Sequence, residues 1–293
     1  MSRDTSVQRR LERLGATRVR GGLLSTEEAA ALADVGLHPV SEVIGAIAST
    51  VSGFGLYGPG SASPWGGSGS GLGLGYRTHT SSTSNSRYGL PTAVTAFKSG
   101  NRSALNRMLA EARAVGADGV VGVKVQRTVS YAGGMQMWSF LAIGTAVRSA
   151  GRTHPSVPFT TDLSGAQTAA AIRGGWVPVS YLAVPCIGIR YLDAQSSMQL
   201  RALATNGEID AFSDVVNTTR HQARQDFARA AAEAHADGAV LSGMTLRLEG
   251  GLDQITCVAE VTITGTALAR FRAPATRART PLMVIPLARG RGI

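Results

Sequence analysis

Between Glu208 and His235 the apolar positions return at steps of mostly three or four: Ile209, Phe212, Val216, Ala223, Phe227, Ala230 and Ala234, with one seven-residue step over Thr219 and Arg220. That spacing lays one apolar stripe along an α-helix. Leu105, Met108, Leu109, Ala112 and Val115 trace a shorter version of the stripe upstream. After each helix the period changes to two. Met244, Leu246 and Leu248 alternate with Thr245, Arg247 and Glu249. Beyond Gly250-Gly251, the residues Ile255, Cys257, Ala259, Val261 and Ile263 fall on one side and Thr256, Glu260, Thr262 and Thr264 on the other, with Val258 the exception. This alternation predicts a half-buried antiparallel hairpin, with Glu260 facing away from the apolar row, either to solvent or into an interface. Upstream, Val121, Val123 and Val125 lead through the turn Tyr131-Ala132-Gly133-Gly134 into a return strand over 135–148. Segments 40–51 and 179–191 are apolar and β-prone and read as first strands, Pro185 favouring an edge or a bulge in the second.

The elements therefore come twice, and the residues repeat with them. Ser25, Ala30, Ala31, Gly36, Pro39, Val40 and Ser41 recur 139 positions later as Ser164, Ala169, Ala170, Gly175, Pro178, Val179 and Ser180. Ala117-Asp118-Gly119 returns as Ala236-Asp237-Gly238, and Gly144-Thr145-Ala146 as Gly265-Thr266-Ala267. Internal repetition of this kind sets the number of cores a chain builds. Each copy opens on a capping-box signal, Ser25 with Glu28 and Ser164 with Gln167, before a short Ala-rich helix. The order β-α-β-β predicts an α+β fold in which one long helix packs on a small, mainly antiparallel sheet. Such sheets leave borders to be covered by a sister domain or another subunit. The domain reading is a basic tail at 1–22, a first domain at 23–150, a linker at 151–162, a second domain at 163–271 and a basic tail at 272–293. The first copy carries an insertion of about 20 residues within 53–89, rich in Gly and Ser, a composition typical of flexible surface loops.

Charge changes the picture only at the ends. Of the formal net charge of +10, residues 1–22 supply +4 and residues 272–293 supply +5, nearly all of it guanidinium. Arginine tails of this kind solubilise, or neutralise phosphates of nucleic acid without reading bases. No stretch is apolar for the roughly 20 residues a spanning helix needs, and the first 15 residues lack the apolar core of a secretion signal. A cytoplasmic location follows as the expectation.

The stretch EARAVGADGVVGVKVQRTVSYAGGMQMWSFLAIGTAVR (111–148) resembles the end of a YbjQ-like domain, the heavy-metal-binding family. Glu111, Ala112, Gly116, Ala117, Asp118, Val120 to Val123 and Gly144 to Val147 carry the likeness. The second copy is similar through Ala236, Asp237, Gly238, Val240, Gly265, Thr266 and Ala267, and departs at 241–243, where Leu-Ser-Gly stands for the single Gly122. The resemblance implies two tandem dodecin-like, YbjQ-like domains and ring-shaped, five-fold homo-oligomers, which five two-domain chains would satisfy as two stacked rings. It implies a structural role for the motif positions Gly116, Asp118, Gly122, Gly144, Thr145, Asp237, Gly265 and Thr266. It also implies a heavy-metal ion as cofactor, without a ligand motif to place it.

Soft metals want clustered thiolates or imidazoles. The chain offers Cys186, Cys257, His38, His79, His154, His221 and His235, in no metal-ligand spacing. Cys186 and Cys257 are the candidate pair, weighed against two buried free thiols on an apolar face. His221 and His235 stand about 21 Å apart on one helix at 1.5 Å per residue, too far for one ion. Gly53-Phe54-Gly55-Leu56-Tyr57-Gly58 spells G-x-G-x-x-G, but Pro59 and more glycine follow where a nucleotide-binding helix should begin. Asp118 and Asp237 recur at a helix-to-strand joint, where Asp bonds nearby backbone N–H groups. No nucleophile motif is present. The expectation is a non-enzymatic, oligomeric binding or scaffold protein. The alternatives are a heavy-metal binder using Cys186 and Cys257, and a nucleic-acid-associated protein acting through its Arg-rich ends.

Overall fold

The computed structural model describes residues 23–50, 91–132, 135–151, 155–201, 208–250, 256–271 and 284–286. The tail 1–22, the insertion 53–89 with its G-x-G-x-x-G, and the histidines His79 and His154 lie outside the described residues.

The first module runs α1 (Thr26–Ala33), β1 (Leu37–Thr50), α2 (Pro91–Ala114), β2 (Gly119–Ala132), β3 (Met135–Ser149). The chain then passes through β4 (Phe159–Thr160) into α3 (Gly165–Arg173), β5 (Trp176–Tyr191), α4 (Ala194–Arg201), α5 (Asp210–Glu233), β6 (Gly238–Gly250), β7 (Thr256–Arg270) and β8 (Val284–Pro286). The strands form two four-stranded sheets, β1-β3-β2-β4 and β5-β7-β6-β8, so the α+β layering expected from the sequence is what forms. Three elements go beyond what the periodicity predicts: α4, and the border strands β4 and β8. β4 comes from the segment read as a linker and pairs in parallel with β2. β8 comes from the segment read as a tail and pairs antiparallel with β6.

The local signals act as the sequence predicts. Ser25 accepts from the Glu28 N–H at 3.2 Å while Glu28 accepts from the Ser25 N–H at 2.9 Å. Ser164 and Gln167 repeat this at 3.2 and 3.0 Å. Each box satisfies N–H groups that the first helical turn leaves without partners, worth about 1 kcal/mol. The long helices end in matching Schellman turns. Gly116 donates to Arg113 O and Ala117 to Ala112 O; His235 donates to Ala232 O and Ala236 to Ala231 O. The left-handed position is filled by Gly116 (φ 68°) in the first turn and by His235 (φ 53°) in the second. Gly238, in turn, matches Gly119 at the start of the following strand. The hairpins correct one reading. β2 bulges between Val121 and Lys124, and β6 between Leu241 and Gly243. Leu241-Ser242-Gly243 thus replaces Gly122-Val123-Lys124 residue for residue, not Gly122 alone.

Alternation along β5 separates its two faces. Leu182, Val184 and Cys186 pack with Ala223 and Phe227 of α5. Tyr181, Ala183, Ile187 and Ile189 pack with Phe97, Ala104 and Met108 of α2. The layers are therefore first sheet, α2, second sheet, α5. The second sheet is covered on both faces, and this explains Val258: it lies on the α2-covered side and joins the core there. The half-buried hairpin predicted for β6–β7 is corrected accordingly. Cys257 to Val261 are all buried, whereas Met244, Leu246 and Leu248 of β6 are 40%, 46% and 44% exposed.

Candidate functional site at the seam between the modules

The groups that sequence reading could not place together converge where the two modules meet. Residues 159–163 zip along β2: Phe159 donates to Asp118 O, Thr161 to Val120 O, Val123 to Thr161 O and Gly122 to Leu163 O. This fixes three consecutive polar side chains against the second module. Thr160 Oγ1 accepts from the Tyr181 N–H at 2.9 Å. Thr161 Oγ1 lies 2.8 Å from Thr266 Oγ1. Thr266 Oγ1 donates to Asp162 Oδ1 at 2.6 Å, and Ser242 Oγ donates to Asp162 Oδ2. Burial pushes the Asp162 carboxyl above its ordinary value, the two hydroxyl donors partly restoring it. Burial first, and then the nearby Asp162 charge, push the Tyr181 phenol well up, so it stays neutral.

A second polar contact crosses the seam. One guanidinium nitrogen of Arg127, on β2, lies 2.6 and 2.8 Å from the two carboxylate oxygens of Glu260, on β7. Side-chain exposure is 9% and 6%, so the pair is out of water. The guanidinium also lies 5.0 Å from the Phe97 ring centroid and 4.9 Å from that of Trp138. Cation–π contacts of this kind gain strength on desolvation. Glu260 is thus an interface residue, one of the two placements its polar-side position allowed. At the surface, Arg173 pairs with Asp34 at 3.2 Å, tying α3 to α1.

The motif positions organise each module. Asp118 Oδ2 accepts from the Ser149 N–H at 2.7 Å, and Asp237 Oδ2 from the Arg270 N–H at 2.9 Å, each lashing a helix-to-strand joint to the end of the return strand. Thr145 Oγ1 accepts from the Leu23 N–H at 3.0 Å, and Thr266 Oγ1 from the Asp162 N–H at 3.3 Å. Gly122 adopts φ 64° in its bulge. Gly144 and Gly265 lie where a methyl group would run into Val120 and the Val240 carbonyl. Glu111, buried at the open edge of β1, accepts from the Ile44 N–H. Arg107 donates to Ala46 O two residues further on, so α2 occupies part of the backbone edge that β1 leaves unpaired.

The two cysteines do not come together. Cys186 lies opposite Val261 and Cys257 opposite Arg190, four residues along the same ladder. That separates them by about 13 Å at ~3.3 Å per residue. Burial and the Asp226 charge push the Cys186 thiol up to about 11, Lys98 opposing. Burial likewise raises Cys257, whose Sγ approaches Arg190 O and Ala211 O. Thiols held protonated are poor metal ligands and poor nucleophiles. His38, His221 and His235 are exposed, and His221 contacts Gln225 at 2.9 Å. Among the described residues, no group of three or more His, Cys, Asp or Glu side chains could hold a metal ion. No helix of the described residues is long and apolar enough to cross a membrane.

Residues 91–150 match the YbjQ_1 family model, described as "Putative heavy-metal-binding". That stretch contains neither Cys nor His, so its sulfur donors are the thioethers of Met108, Met135 and Met137, of which Met108 is buried in the core. With Met108 committed to the core, that stretch keeps two thioethers and no thiolate or imidazole beside them, too small a donor set for a heavy-metal site. The chain is also 34% identical over 144 residues to the "Encapsulin nanocompartment protein Rv1762c" of Mycobacterium tuberculosis (strain ATCC 25618 / H37Rv), covering 47% of this chain and 52% of the relative. The chain thus spans about half the length of the curated relative it matches. No solved structure matches it.

Proposed function

We propose that this chain is a non-enzymatic scaffold protein, built from two YbjQ-like modules, that assembles with copies of itself. The observation that carries the reading is where its buried ionisable groups are spent. Arg127, Glu260 and Asp162 lock one module to the other: a guanidinium nitrogen of Arg127 meets both Glu260 oxygens, and both Asp162 oxygens accept from hydroxyls of the second module. The family match over 91–150 and a relative named for a nanocompartment support assembly as the chain's business. Native mass spectrometry of the full chain tests it. A defined multi-copy species is expected; a monomer of 30.3 kDa at micromolar concentration overturns it.

Metal binding through Cys186 and Cys257 is the weaker reading, given their separation and protonated state. Replacing both by serine is expected to leave zinc and copper affinity unchanged, as measured by calorimetry.

A further inference from the structure

The seam inside the chain is heterologous: the helix side of the first module meets the opposite face of the second sheet. α2 packs on β5, and Arg127, on the helix side of β2, reaches Glu260 on the far face of the second sheet. α1 and α3 lie side by side and point the same way, since Glu28 meets Gly165 near their starts and Asp34 meets Arg173 at their ends. Among the described residues, one such step leaves two surfaces without their counterpart. The second module's helix side keeps Met244, Leu246 and Leu248 exposed on β6. By register against β3 and β7, these occupy the positions of Val125, Arg127 and Val129, which are half-buried in the first module. The first sheet's far face keeps Ala46 and Ala48 exposed and Ile44, Met137 and Leu141 half-buried. Ala46 and Ala48 stand where Pro185 and Ile187 are buried by the first module.

We propose that a second copy of this chain covers β6, seating the far face of its first sheet on Met244, Leu246 and Leu248 as the second sheet seats on Val125, Arg127 and Val129. Three large apolar side chains in a row, each at least 40% exposed, form the kind of patch that marks an association surface. The chemistry of the new contact is apolar where the internal one is ionic. Leu246 takes the place of Arg127, and Ser139, which stands where Glu260 does, offers no carboxylate to demand a cation. A head-to-tail contact of this sort repeats from copy to copy, as a ring where the rotation closes and as a filament where it does not. Modules then alternate along one array, rather than stacking as two rings.

This inference rests on the self-assembly proposed above, and the test separates the two. Leu246→Glu blocks the β6 surface and Ala48→Glu blocks the far face; both positions are exposed, and an unchanged far-ultraviolet circular dichroism spectrum verifies the fold, since loss of assembly by itself lowers the melting temperature. Native mass spectrometry of the wild type is expected to show multiples of 30.3 kDa. Each variant alone is expected to be monomeric. An equal mixture of the two variants retains one intact contact and is expected to give a two-chain species that grows no further. A monomeric wild type overturns both the scaffold reading and this contact. Variants that assemble like the wild type, or a mixture that yields no two-chain species, overturn the contact alone.

Discussion

The two long helices cross their sheets at different points. In the first module the closest approach is at Gly45, where a methyl group would run into the Ala104 carbonyl oxygen and the Met108 amide nitrogen. In the second, Gly45 is replaced by Val184, and the close approach moves four residues along the strand to Gly188, against Thr219 of α5. Bulk is exchanged accordingly. The first helix carries Gly100 against the Phe140 ring of β3; the second carries Thr219 where Gly100 stands and Val261 where Phe140 stands. Both modules keep the same element order with different packing, because an interior tolerates exchanges that conserve volume. The lesson is that a shared fold here does not mean a shared core, and the two modules answer the same substitution differently.

The largest difference between them is the buried ion pair, which only one side of each module can make. Glu260→Ala leaves the Arg127 guanidinium with 9% side-chain exposure and without its carboxylate. Removing one partner of such a pair costs about 3–5 kcal/mol. Urea denaturation is expected to show that loss. The double variant Arg127→Leu, Glu260→Ser carries the residues found at the corresponding positions, Leu246 and Ser139, and is expected to recover most of it. Equal stability of the single and double variants would show that the pair contributes little beyond its packing.

Next comes the helix crossing. Gly45→Ala puts a methyl group against helix backbone, which cannot swing aside, so a loss of roughly 3 kcal/mol is expected, at the upper end for overpacking. Gly100→Ala meets a Phe140 ring instead, and Phe140→Leu beside it is expected to restore part of the loss. The corresponding Thr219→Ala in the second module is expected to cost less than Gly45→Ala, measured by the same unfolding curves. Similar losses at Gly45 and Thr219 would contradict the separate packing of the two crossings.

What was legible in the sequence was local. The capping boxes at Ser25 and Ser164, the Asp118 and Asp237 joints and the hairpins all follow from neighbours a few residues away. The sheet surfaces were not, because their burial depends on the other module. Glu260 sits in an alternating strand with nothing nearby to announce Arg127, which lies 133 positions away. Met244, Leu246 and Leu248 carry the pattern of a buried face yet stay 40%, 46% and 44% exposed, and Val258 breaks the alternation because α2 covers that face. β4 and β8 are two and three residues long, too short for any periodicity. α5 also turns its stripe: Ala211, Val215 and Thr219 are buried, while Phe212 and Val216, which the three-and-four spacing places on the inner row, are half-buried. Small residues carry that contact, and hydrophobicity alone does not favour them.

A smaller effect separates the two helix ends. His235 holds φ 53° where the first module uses Gly116 at 68°. A side chain in the left-handed region costs about 1 kcal/mol relative to glycine. His235→Gly is therefore expected to raise stability by about 1 kcal/mol, and Gly116→Ala to lower it by at least as much, since the added methyl also crowds the Arg148 guanidinium. Thermal unfolding of the two variants tests the pairing. No gain from His235→Gly would mean that the imidazole makes up the backbone cost.

The finest distinction is chemical. Asp162 and Leu23 occupy the same place ahead of α3 and α1, and each donates its N–H to the buried threonine of its module. Only Asp162 titrates. Its folded-state pKa lies above the ordinary 3.8 because burial disfavours the anion. A raised carboxyl pKa means that the folded form holds its proton more tightly than the unfolded form. The resulting stabilisation is full below pH 3.8 and is lost as pH rises through the folded-state value. Asp162→Asn removes this dependence while keeping an oxygen to accept from Thr266 or Ser242. The unfolding free energy of the wild type, measured relative to Asp162→Asn, is therefore expected to fall as pH rises from about 4 and to level off once Asp162 is ionised. A difference that stays flat, or that rises with pH, would show that the hydroxyl donors of Thr266 and Ser242 outweigh burial and hold the carboxylate charged in the seam.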